Sequence, residues 1–267
     1  MGLLYEKRSH IAYLTFNRPE VHNSIDPETA VELTSAWEDY RDDVDLRCAI
    51  ITGAGEKSFC SGMDLTRMIP LSTGVRKPET QADHAVLQNP SILEIAMLRN
   101  FELNKPVIAA INGYAIAAGM ELIQSTDIRV ASETAQFGLQ EVKWAIFPMG
   151  GSTVRLPRQV PFCKAMEILL TGDLIDAREA LRIGFVNCVV PREKVMEEAE
   201  KVALRIVRNG PLAVTAIKRS VIENIGLTIK EGLENEKKLA APVFRSKDAR
   251  EGPKAFKEKR EPNYIGE

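Results

Sequence analysis

The sequence predicts an α/β fold with a helical C-terminal part, on the basis of three observations. Short apolar runs typical of buried strands lie mainly before Pro161, helical patterns dominate after it, and no fixed-period repeat is present. With 267 residues, 45% of them hydrophobic, the chain is long enough to bury a sizeable core. We expect a core over residues 1–190 and a helical region over residues 191–267.

The chain begins with two strands, a helix and a third strand. Leu3–Arg8 and Ile11–Phe16 have the length and composition of short strands. Asp26 before Pro27 is a typical helix start, because Asp caps free amides and Pro suits the first helical position. One apolar helix face then follows at spacings of three and four: Ala30, Leu33, Trp37 and Tyr40. Leu46–Thr52 is predicted to be a buried strand.

The middle of the chain alternates loops and short strands. Residues 66–90 are rich in Pro, Ser and Gly and are predicted to form a loop with little regular structure. Ile92–Leu103 is predicted to be a helix, followed by a buried strand over Val107–Ile111. Two further short strands are expected at Asp127–Ala131 and Ala135–Gly138.

Helices are expected to fill most of the remainder. One strand, Phe185–Val190, interrupts them. The predicted helices are Phe162–Leu170, Asp176–Ile183, Arg192–Arg208, and one running from Leu212 to about residue 240.

Composition excludes several classes of protein. Lys and Arg number 35 and Asp and Glu 37, so the net charge of −2 argues against a dedicated nucleic-acid binder. No apolar run approaches the ~20 residues that span a bilayer, and the first residues lack a signal-like apolar segment, so a cytoplasmic protein is expected. Three histidines and no C-x-x-C pair give no basis for a metal site.

Two turns rich in small residues each follow a buried strand. They lie at Phe59–Leu65 and Asn112–Leu122. Small residues let a backbone approach a ligand closely, and free N–H groups at the start of a helix suit an anion or a developing oxyanion. Neither turn matches a phosphate-binding or dinucleotide-binding glycine motif. The alternative is that both are tight turns needed only for packing.

Two carboxylates are associated with these turns. Glu121 lies among apolar residues in the second turn, and Glu141 precedes the mainly apolar stretch Val142–Phe147. A carboxylate in such surroundings is costly unless it is paired, hydrogen-bonded or protonated. Two of them facing one pocket can act as general acid and base around a water molecule. The alternative for each is a solvated or ion-paired helix position.

These residues closely resemble the crotonase (enoyl-CoA hydratase/isomerase) superfamily. The strongest match is KPVIAAINGYA at residues 105–115, followed by the small residues and Glu121. Other matches follow in the family's order: Asn17-Arg18-Pro19, the Phe59–Leu65 turn, Gln136-Phe137-Gly138, Glu141, Gly150-Gly151, Thr171-Gly172 and Glu251-Gly252. The resemblance implies a spiral of ββα units forming a catalytic core, with a C-terminal helical trimerisation region that builds a homo-oligomer, either a trimer or a dimer of trimers.

The resemblance also implies a chemistry. Members bind acyl-CoA thioesters and hold the thioester oxygen in an oxyanion hole, whose backbone N–H donors match Met63 and Ala118. The catalytic pair of the family's hydratases matches Glu121 and Glu141, which implies syn addition of water to a 2-enoyl-CoA. Coenzyme A is then part of the substrate, and no separate cofactor or metal is required. Ala117 and Ala118 stand where the family usually has glycines, and their methyl groups are expected to narrow the pocket.

Further positions match less specifically. Residues expected to bind substrate or coenzyme A are Asn23, Ser24, Ile25, Ser61, Gly62, Asp64, Arg67, Gly119 and Lys259. Residues expected to shape the acyl pocket are Trp144, Phe147 and Met149. For Lys259 the alternative is a solvated face of a charged terminal helix.

Other activities stay open. An enoyl-CoA isomerase, a specialised hydroxyacyl-CoA dehydratase or a hydrolase would use the same fold, although isomerases typically need one carboxylate and this chain has both. A non-catalytic acyl-CoA-binding or RNA-binding paralogue belongs to a different class, and the net charge disfavours RNA.

Overall fold

The computed structural model describes residues 1–267 and contains ten strands in two sheets. The strands are β1 (Leu3–Arg8), β2 (Ile11–Phe16), β3 (Cys48–Gly53), β4 (Ser58–Cys60), β5 (Val107–Ile111), β6 (Tyr114–Ile116), β7 (Ile128–Ser132), β8 (Gln136–Gly138), β9 (Ile175–Asp176) and β10 (Cys188–Val190). The larger sheet has the order β1-β2-β3-β5-β7-β10, with only β1 and β2 antiparallel. The smaller sheet has the order β4-β6-β8-β9, in which only β8 and β9 are antiparallel.

Twelve helices surround the sheets. They are α1 (Pro27–Asp42), α2 (Met68–Ser72), α3 (Gln81–Gln88), α4 (Ser91–Ala96), α5 (Ala118–Ile123), α6 (Ser152–Gln159), α7 (Phe162–Thr171), α8 (Ala177–Arg182), α9 (Val195–Val207), α10 (Pro211–Glu223), α11 (Ile229–Arg245) and α12 (Asp248–Glu258). Short 3-10 turns lie at Pro19–Val21, Gln140–Trp144 and Arg192–Lys194. No helix combines the length and the apolar composition that crossing a membrane would need.

The parallel strands form a repeating ββα pattern. Each of β3, β5 and β7 in the larger sheet is followed directly by a short strand of the smaller sheet, namely β4, β6 and β8. A helical element comes next in each case, so successive units wind in the spiral that the family resemblance implies. The turns between strand and helix therefore lie beside one another at the carboxyl ends of the parallel strands of the smaller sheet.

Both faces of the larger sheet are buried. Successive side chains of a strand point to opposite faces, so within β5 Ala109 and Ile111 join one apolar cluster while Ile108 and Ala110 join another. Helix α1 covers the first face and helix α9 the second. This two-sided burial explains why β5 is apolar at every position, a pattern typical of parallel sheets.

The start of helix α1 is confirmed as predicted. The Asp26 carboxylate accepts a hydrogen bond of 2.9 Å from the Thr29 amide, which caps the helix. On its apolar face, the Trp37 indole N–H donates to the Ala96 carbonyl at 3.3 Å, and the Tyr40 hydroxyl donates to the Pro106 carbonyl at 2.7 Å. The polar atoms of these two buried aromatic side chains are thus satisfied.

Three sequence predictions were wrong in detail. The supposed loop at residues 66–90 contains α2 and α3, and α3 is held by a capping box between Thr80 and Asp83. The helix expected over Ile92–Leu103 ends at Ala96, since Leu98 and Asn100 adopt positive φ. The long helix expected after Leu212 is two packed helices, α10 and α11, separated by a turn in which Gly226 adopts a φ of +90°.

The C-terminal helices differ in what they cover. Helix α9 packs on the larger sheet through Ala199 and Ala203, so it belongs with the core. Helices α10 and α11 contain no buried residue. Large apolar side chains are exposed along α10 to α12: Ile217, Val221, Ile222, Ile229, Leu233, Phe244 and Phe256. The division at residue 190 stays a prediction, and a division near residue 210 fits this packing better.

Candidate active site

The two small-residue turns meet beside the smaller sheet. Residues Gly62 and Met63 follow β4, and Ala118 begins α5 directly after β6, the strand paired with β4. A methyl group placed on Gly62 would lie 3.4 Å from the Ala118 amide nitrogen, so the turns are in close contact. The N–H groups of Met63 and Ala118 donate no hydrogen bond to any other backbone group.

Glycine is required at two positions of this contact. Gly62 has a φ of +104°, and an added Cβ would lie 2.9 Å from the Ala117 Cβ. An added Cβ on Gly119 would lie 2.2 Å from the Cys60 carbonyl oxygen, which is too close for any side chain. Both glycines therefore permit the close approach of the two turns that carry Met63 and Ala118.

Ala117 carries local backbone strain. Its φ of +51° and ψ of −126° lie outside the regions that residues with a Cβ normally adopt. Such conformations cost about 1 to 3 kcal/mol and are found mostly at functional sites. This strained residue lies at the junction between the end of β6 at Ile116 and the start of α5 at Ala118.

Glu121 lies in the first turn of α5 and is 4% exposed. Its Oε1 accepts a 3.3 Å hydrogen bond from the Ser152 amide. A methyl group on Gly150 would lie 2.6 Å from Oε2, so the Gly150 backbone lies directly against the carboxylate. Burial raises the pKa of Glu121, while the amides of Ser152 and Gly150, the Ser152 hydroxyl and the charge of Arg155 act in the opposite direction.

Glu141 lies in the 3-10 turn that follows β8. Its Oε2 is buried and has no hydrogen-bond partner. The pKa of Glu141 is raised to about 7, against an ordinary value of 4.5. Burial is the main cause, a backbone hydrogen bond opposes it, and repulsion from the Glu121 carboxylate contributes to the rise. The two carboxylates therefore lie within electrostatic range of each other, and that they face one pocket stays a prediction.

This arrangement has a definite chemical capacity. Two adjacent, unpartnered amides can stabilise negative charge that develops on an oxygen atom, because their geometry is fixed before the reaction begins. Two neighbouring carboxyl groups with raised pKa values can exchange protons near neutral pH. The buried, unpartnered Oε2 of Glu141 is a polar atom for which the folded chain alone provides no partner.

Three of the predicted substrate-binding side chains bond within the protein. The Asn23 side-chain amide donates to the carbonyls of Ala54 and Ser58, at 2.9 and 2.8 Å. The Ser24 hydroxyl donates to Asp64 at 3.2 Å. Asp64 is buried, but hydrogen bonds from Thr66 and Arg18 outweigh that burial and hold its pKa at about 2. These three side chains brace the turn, and any contact with substrate would be through their backbone.

Three other predicted positions also have structural partners. The Arg67 guanidinium bonds Asp26 at 3.0 Å and Glu28 at 2.8 Å, so its charge is already compensated. Ile25 is fully buried and forms a parallel β-bridge with Met63, which fixes the backbone beside the free amide. Ser61 donates its amide to the His22 carbonyl at 3.1 Å. The prediction that Arg67 binds a phosphate stays a prediction.

The remaining predicted residues lie on the surface of the single chain. Lys259 is exposed at the end of α12, and its ammonium group has no partner. Trp144, Phe147 and Met149 are 71%, 64% and 66% exposed, although they follow Glu141 closely in sequence. In the single chain they do not enclose an acyl cavity, so that role also stays a prediction.

Sequence reasoning missed the segment that holds Glu121. Gly150 and Ser152 bond or contact its carboxylate, and Arg155 donates to the Gly150 carbonyl at 3.1 Å and to the Leu98 carbonyl at 2.8 Å. The adjacent glycines at 150 and 151 were a visible signal, but nothing in their spacing relates them to Glu121, 29 residues earlier.

The fold and the paired turns define the structural class. A spiral of ββα units with C-terminal helices is the crotonase fold, and a crystal structure of enoyl-CoA hydratase from Bacillus anthracis matches it with a TM-score of 0.90, 37% identity and full coverage of both chains. A family model described as enoyl-CoA hydratase/isomerase matches residues 6–267. The chain therefore belongs to the enoyl-CoA hydratase/isomerase family.

Two relatives illustrate its place in that family. An enoyl-CoA hydratase of Mycobacterium tuberculosis is 43% identical over 261 residues, which cover 98% of this chain and 95% of that protein. The (E)-benzylidenesuccinyl-CoA hydratase of Thauera aromatica is 39% identical over 266 residues, covering 100% of both. Family membership makes this an enzyme of the acyl-CoA-binding hydro-lyase type.

Proposed function

We propose that this protein is a 2-enoyl-CoA hydratase that adds water reversibly to give a 3-hydroxyacyl-CoA. One observation carries the proposal. Two unpartnered amides, of Met63 and Ala118, lie beside a helix that bears a buried carboxylate, Glu121, with a second raised-pKa carboxyl, Glu141, within electrostatic range. An enzyme that only moved a double bond would need a single proton-transferring carboxylate.

The proposed mechanism assigns each group a role. The thioester oxygen accepts hydrogen bonds from the Met63 and Ala118 amides, which stabilise the enolate more than the ground state. The Glu121 carboxylate orients a water molecule and takes its proton as the water oxygen bonds to the β-carbon. The protonated Glu141 delivers a proton to the α-carbon on the same face. Proton exchange between the two carboxyl groups restores the starting state.

The pKa pattern supports this division of roles. Glu141 has an unpartnered, buried oxygen and a pKa of about 7, so a large fraction carries a proton near neutral pH. Burial raises the pKa of Glu121 as well, but unlike Glu141 it receives hydrogen bonds from Ser152 and Gly150 that favour its ionised form, which suits a base. Environments that separate the pKa values of two carboxyl groups are a common basis of acid and base assignment.

The proposal extends to assembly and cofactor use. The exposed apolar side chains of α10 to α12 favour a homo-oligomer, either a trimer or a dimer of trimers, because surfaces of this kind are normally buried against a partner. We propose that the turn carrying Asn23, Ser24 and Ile25 contacts coenzyme A through its backbone, that Lys259 reaches the coenzyme of a neighbouring subunit, and that no further cofactor takes part. A cytoplasmic location is part of the same proposal.

A specialised acyl group is the second candidate. The relative from Thauera aromatica is described as acting on a benzylidenesuccinyl-CoA, which is aromatic and branched. Trp144, Phe147 and Met149 follow Glu141 closely in sequence, are exposed, and offer apolar surface for such a group once a substrate or subunit covers them. The same site would then catalyse hydration or dehydration of that substrate.

One assay separates these activities. The purified protein is incubated with 2-enoyl-CoA and 3-enoyl-CoA esters, including an aryl-substituted ester, while the absorbance of the conjugated thioester is followed. We expect a decrease with 2-enoyl esters, and a loss of about 10²-fold or more in kcat for Glu121→Gln and for Glu141→Gln. Glu133→Gln, a matched change at an exposed glutamate, should leave the rate unchanged.

The other outcomes are equally informative. An absorbance increase with 3-enoyl esters and no change with 2-enoyl esters would identify an isomerase. Hydration of the aryl-substituted ester alone would favour the specialised activity. No change with any ester, together with acyl-CoA binding, would indicate the non-catalytic paralogue.

A further inference from the structure

A chain of buried polar side chains extends behind Glu121. Ser152 is the first residue of α6, is 0% exposed, and its amide bonds Glu121. Its hydroxyl accepts a 2.9 Å hydrogen bond from the Gln124 side-chain amide, one helical turn beyond Glu121. Gln124 is 2% exposed, and its own Oε1 has no partner.

This pairing determines where the Ser152 proton points. Since the Gln124 amide nitrogen is a donor, the Ser152 oxygen acts as the acceptor, and its own proton must be directed elsewhere. The Glu121 carboxylate is the buried acceptor already bonded by the amide of the same residue, and the Ser152 side chain is among the groups that lower its pKa. Ser152 can therefore donate two hydrogen bonds to Glu121, one from its backbone amide and one from its hydroxyl.

The far end of the chain is anchored by a buried arginine. The Gln159 side-chain amide donates to the Gln124 backbone carbonyl at 2.8 Å, and Arg129 donates to the Gln159 oxygen at 2.8 Å. Arg129 also donates to the carbonyls of Ile123 and Phe185, at 2.7 and 2.8 Å. A guanidinium stays charged near neutral pH, so this end of the network holds one fixed hydrogen-bond direction.

We propose that Ser152 is a positioning residue, whose hydroxyl donates to the Glu121 carboxylate in a direction imposed by Gln124. The hydroxyl fixes the rotamer of the carboxylate and favours its ionised, proton-accepting form. The inference rests on the proposed function only for its kinetic readout. Nothing in the sequence motif that contains Glu121 points to Ser152 or Gln124.

The other groups around Glu121 are unchanged by this proposal. Glu141 faces it across the site, and Arg155 approaches from the next turn of α6. Arg155 is occupied by the carbonyls of Gly150 and Leu98, and the Gly150 amide lies against the carboxylate. Replacing the Ser152 hydroxyl removes one donor and leaves these charges and both amides in place.

The test uses the full-length protein and the variants Ser152→Ala and Gln124→Met. Ser152→Ala removes the hydroxyl, and we expect the acid limb of the kcat/KM profile to move up by about one pH unit, because a carboxylate that loses a donor ionises less readily. kcat should fall about 10-fold with little change in KM. Gln124→Met should shift the limb in the same direction by less, and Ser152→Thr should restore the original profile. Thr153→Ala, at the exposed neighbouring position, is the control.

A second readout does not depend on activity. Glutamate labelled with ¹³C at the carboxyl carbon gives an NMR titration, in which the Glu121 signal is assigned by its absence in Glu121→Gln. The pKa measured in this way should be higher in Ser152→Ala than in the unchanged protein. If it is higher while no ester is hydrated, the proposed function fails and the positioning role survives. An unchanged Glu121 titration in folded Ser152→Ala and Gln124→Met would overturn the proposal.

Discussion

Ionisation of Glu141 should lower the free energy of unfolding near neutral pH, although the same carboxyl group is needed for activity there. Its folded-state pKa of about 7 lies above the 4.5 of an ordinary glutamate. A carboxyl group whose pKa is raised on folding makes its full contribution to stability at pH values below its pKa in the unfolded chain. That contribution is lost as the pH rises through its pKa in the folded protein. Glu141→Gln removes this ionisation, so the variant should gain stability relative to the unchanged protein as the pH rises.

The size of the effect follows from the pKa. At about 1.4 kcal/mol per pKa unit, the full difference between 4.5 and about 7 corresponds to about 3 kcal/mol. Between about pH 5 and about pH 8.5, about 2.5 kcal/mol of this difference should be observed as a change in the free energy of unfolding. Partial exposure of the side chain to water makes that an upper value. Any fixed cost of placing an amide beside the unpartnered site is independent of pH and cancels in the comparison.

Urea unfolding followed by circular dichroism measures the effect across this pH range. Protein concentration is held constant, because an oligomer is stabilised by mass action. The unfolding free energy of Glu141→Gln minus that of the unchanged protein should rise with pH, while kcat falls about 10²-fold or more. Glu133→Gln should give a flat difference. A difference for Glu141→Gln that is also flat would refute the claim that burial raises this pKa.

Four further predictions follow from single contacts. Gly62→Ala places a Cβ within 2.9 Å of the Ala117 Cβ, at a residue whose φ is +104°. In the enoyl ester assay kcat should fall at least about 10-fold, because the turns must move apart. A normal rate would contradict the close packing of the turns. Ala117→Gly relieves a φ of +51° and should raise the unfolding free energy by about 1 kcal/mol in urea titrations; a loss of stability would contradict the strain. Asp64→Asn removes the charged hydrogen bond between Asp64 and Arg18, and it should lower the free energy of unfolding by about 2 kcal/mol near neutral pH. Below pH 2 the loss should be much smaller, because the carboxyl group, with a pKa of about 2, is then largely protonated. Ile222→Glu changes an apolar side chain of α10 that is 51% exposed in the single chain, and it should reduce the mass measured by light scattering to that of a smaller assembly. An unchanged mass would exclude this residue from the interface.

The local elements could be predicted because local chemistry decides them. The cap of α1 needs only Asp26, Pro27 and the apolar spacing that follows, and β5 needs only an uninterrupted apolar run between Pro106 and Asn112. The same reasoning failed for residues 66–90, where the buried Asp83 binds Arg76 and caps α3 with Thr80. Pro and Gly content does not reveal such pairing, because it depends on which side chains meet in the folded state.

By itself the sequence determined the two small-residue turns, the positions of Glu121 and Glu141, and the six strands of the larger sheet in their order along the chain. These features depend on residue type, near neighbours and a resemblance carried by short motifs. Only the tertiary structure decided that Gly150 and Ser152 hold Glu121, that Asn23 and Asp64 brace the turn from within, and that Arg67 is already paired. These are contacts between distant segments, and their geometry depends on how the two sheets and their helices pack.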